Sequence, residues 1–193
     1  KEVIVSDANL KKYSNSQSVL KLNDSIINKN EGLLTDLLNF NSTLYFKEYG
    51  RGMLSTVSFR GTTSSQTAVI WNGININSQM NGSTDFNTIS GSDYNSISVK
   101  AGGGSILYGS GAIGGTVHLN NDLGFYNRFD NNLKLDYGSF NTIGINYKSN
   151  ISTEKWSAQI GFSKNSSTND YKYLNKYTWK GEQRWNQNGQ YDV

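Results

Sequence analysis

The sequence predicts an α+β unit followed by a run of antiparallel β-strands, and three observations carry that prediction. Residues 100–120 read KAGGGSILYGSGAIGGTVHLN, with seven glycines around two short apolar clusters. Upstream, Leu33, Leu34, Leu37 and Leu38 repeat at i, i+1, i+4 and i+5, the stripe of an amphipathic helix. Beyond Asn120, segments of about ten residues alternate apolar and polar side chains. A transmembrane barrel and a soluble antiparallel sheet share that alternation, so the pattern alone leaves both open.

Glycine at this density permits φ > 0 and close backbone approach, at an entropic cost that a tightly packed destination must offset. The stretch is therefore expected to be a compact core element. A phosphate-cradling loop is disfavoured by spacing: GxGxxG needs a strand before it and a helix opening on it, and the Walker pattern needs GK[ST]. Here Gly115 is followed by Thr116-Val117-His118-Leu119, a strand pattern.

Composition narrows the class. Among 193 residues, 17% are charged and 12% aromatic, glycine numbers 20, and proline and cysteine are absent. About ten prolines are expected at average usage, and their lack favours uninterrupted β-ladders. Without cysteine there is no disulfide or thiolate metal site, and the redox compartment stays open. A net charge of +3 is too small to indicate nucleic acid. No apolar run reaches the ~18 residues of a transmembrane helix, and Lys1-Glu2-Val3 opens no secretory h-region, so the chain is expected to start downstream of any export signal.

Residues 2–6, EVIVS, are β-prone and precede a polar run; an edge strand or frayed terminus is the plain reading. Residues 19–24 alternate weakly, as a strand would. The leucine stripe predicts a helix over residues 31–40 capped by Asn30, covering one face of a sheet. Gly50-Arg51-Gly52-Met53-Leu54 forms a glycine-flanked tip before an alternating strand, residues 55–60, with Val57 and Phe59 on one face and Ser58 and Arg60 on the other. Residues 67–76, TAVIWNGINI, are two β-rich arms around Asn72-Gly73, a strong type I′ hairpin signal. Residues 77–87 form a polar excursion with Met80 at its centre, and residues 97–100 a short strand. His118, the single histidine, is expected to point away from Val117 and Leu119 and to be structural.

After Asn120, three segments each place apolar side chains on one face: Leu133, Leu135, Tyr137; Ile143, Ile145, Tyr147; and Trp156, Ala158, Ile160, Phe162. The connections near residues 138–141 and 150–154 are short. The tail from Asn165, with Tyr171, Tyr173, Tyr177, Trp179 and Trp185, reads as a long loop leading to another strand, and a carbohydrate-binding surface reads much the same.

Residues 105–119, SILYGSGAIGGTVHL, resemble the end of the plug domain of TonB-dependent outer-membrane receptors, and VSFRG (57–61) and VIWNG (69–73) resemble the family's other plug motifs in order and spacing. The resemblance extends over the chain and, over residues 55–119, is closest to receptors of the cobalamin type. It implies an α+β plug, a small mixed sheet with short helices, followed by the first antiparallel strands of a transmembrane β-barrel. The implied division is a TonB-box and linker segment (1–12), the plug (13–122) and the start of the barrel (123–193). Glu2, Val3, Ile4, Val5 and Ser6 would then pair with the C-terminal domain of periplasmic TonB by strand addition. Arg51, Met53, Gln79, Met80 and Asn81 would be substrate contacts on two apical loops. Arg60, Gly61, Asn72, Gly73, Tyr108, Gly109, Gly114 and Gly115 would form the plug's structural motifs. The implied function is active uptake of a scarce nutrient, cobalamin or a ferric siderophore, across a Gram-negative outer membrane, driven by the inner-membrane proton gradient, without cofactor or metal. Outer-membrane lipid and a surface lipoprotein would be further partners under the same resemblance. Some 73 residues follow the plug, room for three or four strands where a closed membrane barrel needs about eight, so a longer receptor is expected.

Two rivals stand beside this reading. An enzyme is disfavoured by one histidine, no cysteine and no Asp/Glu pair with an evident partner. A soluble or surface β-rich adhesin or lectin shares the Gly/Asn/aromatic composition, and detergent dependence of the full-length protein separates it from a receptor.

Overall fold

In the computed structural model, residues 18–30, 32–175, 182–185 and 191–192 are described. The TonB-box expectation, residues 2–6, lies outside them. The chain opens with β1 (Val19–Leu22), α1 (Asp24–Lys29) and α2 (Leu34–Asn41), followed by the hairpin of β2 (Tyr45–Glu48) and β3 (Ser55–Ser58). Next come β4 (Thr67–Trp71) and the short β5 (Ile74–Asn75), then β6 (Ser96–Ala101), the one-turn helix α3 (Ser105–Tyr108) and β7 (Gly115–Asn120). A five-stranded sheet has the order β1-β6-β7-β4-β5, parallel between β4 and β7 and antiparallel elsewhere, the mixed sheet the resemblance implies.

The helical leucines bury one face of this sheet. Val69, Val117 and Val99 form a cross-strand row beside Leu119 and Ile97, and Leu34, Leu37 and Leu38 join them in one core with Ile27, Phe46, Phe59 and Phe86. The helix expected over residues 31–40 is α2, starting at Leu34, and a further short helix, α1, precedes it. Asn23 caps α1, its side chain accepting from the Ile26 amide. Asn30 closes α1 instead of opening the next helix, donating from its amide to the Ile26 carbonyl at 2.7 Å. Gly32, at φ +104°, redirects the chain, and Leu33 is extended and bridges Ser90, so α2 starts at Leu34.

The opposite face is mixed, with Ala68 and Ile70 beside buried polar groups. Ser98, Lys100, Thr116 and His118 are buried there; His118 points away from Val117 and Leu119 as expected, 2.8 Å from the Thr116 hydroxyl and edge-on to the Tyr108 ring.

The glycine stretch is packed where its backbone crosses the sheet end and exposed elsewhere. A Cβ on Gly115 would stand 2.8 Å from the Lys100 carbonyl oxygen, and one on Gly114 2.5 Å from Thr62 Oγ1. Neither has positive φ, so close approach is what requires glycine there. Gly109, at φ +85° and with open space around it, is required by conformation. The expected core clusters are largely outside: Ile106 is 94% and Ile113 55% exposed, while Tyr108 and Ala112 pack on Ala68 and Ile70. A helix of one turn has too few residues to turn every apolar side chain inward.

Asn72 and Gly73 both have positive φ (46° and 89°), the I′ geometry expected. Arg60 differs from its strand assignment. Arg60 and Gly61 have φ of 52° and 82°, so the alternation stops at Phe59 and the pair makes a turn in which the Thr62 amide donates to the Phe59 carbonyl at 3.1 Å.

The second sheet is a meander of β8 (Arg128–Gly138), β9 (Thr142–Ser152) and β10 (Ser157–Ser167), with β13 (Tyr191–Asp192) on the far edge of β10. Between them β11 (Lys172–Asn175) pairs with β12 (Glu182–Trp185) in a separate hairpin. Register places Leu133, Tyr147 and Phe162 in one row and Leu135 beside Ile145 in the next, all on one face. Asp136, Gly144 and Asn165 share a row on the other.

Replacing Gly114 or Gly115 by Val forces an overpacked backbone crossing and should lower plug stability by about 1–3 kcal/mol. Calorimetry of residues 1–120 checks it; unchanged melting of both variants would remove the close-approach argument.

Candidate functional site

The tip between β2 and β3 is closed by two backbone bonds, Tyr49 N–H to the Leu54 carbonyl (3.2 Å) and Met53 N–H to the Gly50 carbonyl (3.0 Å). Its base is held by the turn at residues 85–87. Asp85 Oδ1 accepts from the Ser55 amide at 3.0 Å, and Asn87 donates to the Met53 carbonyl (2.6 Å) and to Glu48 (2.9 Å). Arg51 stands exposed at the tip, its guanidinium 3.5 Å from Asp36 on α2. Burial holds the Asp36 carboxyl above the usual range, and Arg51 offsets part of that rise.

The polar excursion is knitted around Asn77. Its amide oxygen accepts from the Val69 amide at 2.8 Å while its nitrogen donates to the Thr67 and Gly82 carbonyls at 3.0 and 2.7 Å. The Gly82 amide closes the tip on the Ser78 carbonyl at 2.8 Å. Gln79, Met80 and Asn81 crown this tip, with Met80 99% exposed.

The structure brings Arg51 to a cavity of about 440 Å³ between the first unit and the end of the meander, lined also by Leu33, Asp136, Phe140, Asn169 and Tyr171. Phe140 and Tyr171 meet edge-to-face with centroids 5.8 Å apart. Gln79, Met80 and Asn81 do not line that cavity. Met53, half-buried, turns its sulfur toward Gly50.

At the opposite end, the Asn72-Gly73 turn and the strand connection are tied together. The Asn121 amide donates to Asn72 Oδ1 (2.9 Å), Trp71 Nε1 donates to Asn121 Oδ1 (2.9 Å), and Asn121 Nδ2 donates to the Asp93 carbonyl (2.8 Å). Here the polar face of the meander grips the first unit. Lys148 donates to Asn95 Oδ1 at 2.7 Å, Gln159 to the Asp93 carbonyl at 3.2 Å, Asn146 to Ser90 at 3.1 Å and Lys134 to the Asn28 carbonyl at 3.2 Å. The Asp93 carboxylate is hydrogen-bonded by Asn146 and Ser163, yet burial outweighs these and Lys148 and raises its pKa. Burial, with Asp93 beside it, pushes the Tyr94 hydroxyl up to about 12. Sequence reasoning missed Asp93, Asn121, Lys148 and Asn169, because each acts through a partner far along the chain. Among the described residues no cluster of three or more His, Cys, Asp or Glu could hold a metal.

A strand-rich unit with short helices and a glycine-rich closing element is thus docked on a meander with one polar and one apolar face. The family model "TonB-dependent Receptor Plug Domain" matches residues 10–116, more than half of the chain. The chain belongs to the TonB-dependent receptor plug family. The family is one of receptors and transporters. A vitamin B12 transporter BtuB of Vibrio vulnificus (strain YJ016) is 37% identical over 70 residues, covering 36% of this chain and 11% of that protein. BtuB of Photobacterium profundum is 40% identical over 70 residues, covering 36% and 12%. Solved structures of similar fold include the copper transporter OprC, with TM-score 0.66, 17% identity, and coverage of 81% of this chain and 25% of that one. Pseudomonas aeruginosa FpvA bound to pyoverdines gives TM-score 0.65 at 17% identity, covering 79% and 20%. The siderophore receptor PiuA of Acinetobacter baumannii gives TM-score 0.61 at 17%, covering 86% and 23%. The chain thus spans about a quarter or less of the relatives it matches.

Asp93 supplies a signed prediction. Its carboxyl pKa is raised by folding, so its stability contribution is full below the ordinary carboxylate range and is lost as pH rises through the raised value. Asp93→Asn in the full-length receptor should therefore melt higher than the parent near pH 7, with the difference shrinking toward about pH 4. A lower melting temperature for Asp93→Asn at pH 7 would mean that attraction to Lys148 outweighs burial.

Proposed function

We propose that this chain is the plug and first wall strands of an outer-membrane receptor that imports a scarce nutrient of the cobalamin or ferric-chelate class in a TonB-dependent cycle. The observation that carries the reading is the docking of a family-matched plug, through polar side chains, on strands whose other face is apolar. Exposed Phe129, Leu133, Leu135, Tyr137, Ile160 and Phe162 suit lipid, while Lys134, Lys148 and Gln159 turn to the plug. Residues 1–12 are the TonB-engaging segment, 13–122 the plug and 123–193 the start of the barrel, in a Gram-negative outer membrane. Local identity to vitamin B12 transporters supports a cobalamin-class substrate; the FpvA and PiuA likenesses support the fold and leave ferric siderophores as the second substrate class. A surface lipoprotein partner belongs to the same proposal.

Substrate would meet Arg51 and Met53 on one apical loop and Gln79, Met80 and Asn81 on the other. Both loops lie toward the end of the plug opposite the Asn72–Asn121 tie. Force on residues 2–6 from TonB would then remodel the plug. Growth of a deletion strain on single cobalamin, ferric-siderophore, haem and glycan sources identifies the substrate.

Two outcomes test the division of labour. Val3→Pro or Ile4→Pro in the full-length receptor should abolish uptake with substrate affinity unchanged, because proline removes a ladder N–H; normal transport would overturn the TonB-box assignment. Alanine at Gln79, Met80 and Asn81 together should weaken binding by about 1–3 kcal/mol with little effect on folding. Isothermal titration giving equal affinity would leave that loop as plain solvated surface.

A further inference from the structure

The wall strand β10 ends in a segment, residues 167–171, whose hydrogen bonds are directed at two separate places. Ser167 Oγ donates to the Phe140 carbonyl at 3.1 Å and lies 2.9 Å from Thr142 Oγ1. Thr168 donates to the same carbonyl from its amide (3.0 Å) and its hydroxyl (2.7 Å), and the Asn169 amide donates to Ser167 Oγ at 3.2 Å. These bonds fix the segment to the β8–β9 turn. Asn169 itself is 3% exposed and has φ +49°, and its side-chain nitrogen donates to the carbonyl of Arg51, 118 residues earlier in the chain.

That carbonyl sits where the plug hairpin has least hold on itself. Gly50 and Gly52 flank it at φ 137° and 75°, and the two bonds closing the tip use the backbone of residues 49, 50, 53 and 54. Glycines on both sides leave the peptide planes about Arg51 many orientations. The Asn169 bond selects one, and with it the direction in which the Arg51 side chain leaves the backbone. On the far side Asp36 meets the guanidinium. Tyr171 closes the same junction, its hydroxyl oxygen 3.5 Å from the position of a Cβ built on Gly50.

We propose that Asn169 is a positioning residue of the receptor: it seats the apical hairpin of the plug on the barrel wall so that Arg51 faces the cavity beside Phe140 and Tyr171. The inference rests on the reading of Arg51 as a substrate contact, and it makes recognition a joint property of plug and wall. Substrate that moves Arg51 must work against, or through, the wall loop that follows β10.

Two variants separate this role from general folding. Asn169→Asp keeps the shape, cannot donate, and turns a carboxylate oxygen toward a carbonyl. Asn169→Gly tolerates the positive φ and removes the donor. With any cysteine outside this cysteine-free stretch replaced, paired nitroxides at Leu54→Cys on the hairpin and Leu135→Cys on the outer face of β8 report the hairpin-to-wall distance in the full-length receptor. The expected result is a narrow distance distribution with Asn169 and a broadened one in both variants; distributions unchanged in both would overturn the proposal. Binding is read with cyanocobalamin as probe. Asn169→Asp should weaken it about tenfold, the size of one lost hydrogen bond, and should add nothing in an Arg51→Ala background. Additive losses would overturn the proposal, since Asn169 would then act apart from Arg51. If cyanocobalamin fails to bind the parent receptor, the cobalamin reading falls, and the distance measurement still decides the role of Asn169.

Discussion

The close crossing at Gly114-Gly115 is the constraint on which the rest of the plug depends. Strand β7 lies between β4, parallel, and β6, antiparallel, and must enter the sheet directly past the Thr62 side chain and the Gln66 and Lys100 carbonyls. Without a Cβ at either position, the Gly114 amide reaches the Gln66 carbonyl and the Gly102 amide reaches the Gly114 carbonyl, at 2.9 and 3.0 Å. Those bonds set the register that aligns Val69, Val117 and Val99 under the leucines of α2. The same register delivers Leu119 opposite Trp71, so that Asn121 falls beside Asn72 where the chain leaves the sheet. A local packing requirement thereby decides where the wall strands begin.

The plug meets the wall through polar groups, and this follows from what each surface does. In the proposed transport cycle the plug changes its contacts, and a large apolar interface with the wall would oppose that. Hydrogen bonds exchanged with water cost little net free energy each. Lys148, Gln159, Asn146 and Asn169 hold the plug by such bonds. The half-buried Asp93 is the costly member of the set, since loss of hydration dominates its electrostatics. On the outer face of β8–β10, by contrast, apolar side chains stand exposed, a surface suited to lipid and ill suited to water.

Much of this fold was legible because the signals are local. The leucine stripe, the Asn72-Gly73 turn and the two-residue alternation of β8–β10 each report a backbone geometry within a few residues. Where neighbours decide, the sequence was silent or misleading. Asn30 has the chemistry of an N-cap but closes the preceding helix, because Gly32 and the Leu33–Ser90 bridge intervene. Arg60 fits the strand alternation yet takes a left-handed conformation beside Gly61. Ile106 and Ile113 read as core and stand outside, Ile106 because α3 is a single turn and Ile113 because it ends the short turn that follows, in which Ala112 takes the buried position. For the candidate site, the Arg51 tip was legible from its flanking glycines. Its partners Asp36, Phe140, Asn169 and Tyr171 were not, as they converge from three separate segments.

Strands β8–β10 are read as a wall with lipid on one side and the plug on the other. Single nitroxides at successive positions 143–148 of β9 in the full-length receptor, reconstituted in a lipid bilayer, test it through collision with oxygen and with a water-soluble nickel chelate. Strong oxygen accessibility at 143, 145 and 147, alternating with protection from both reagents at 144, 146 and 148, is the predicted result. Nickel accessibility at 143, 145 and 147, or no alternation, would contradict the account.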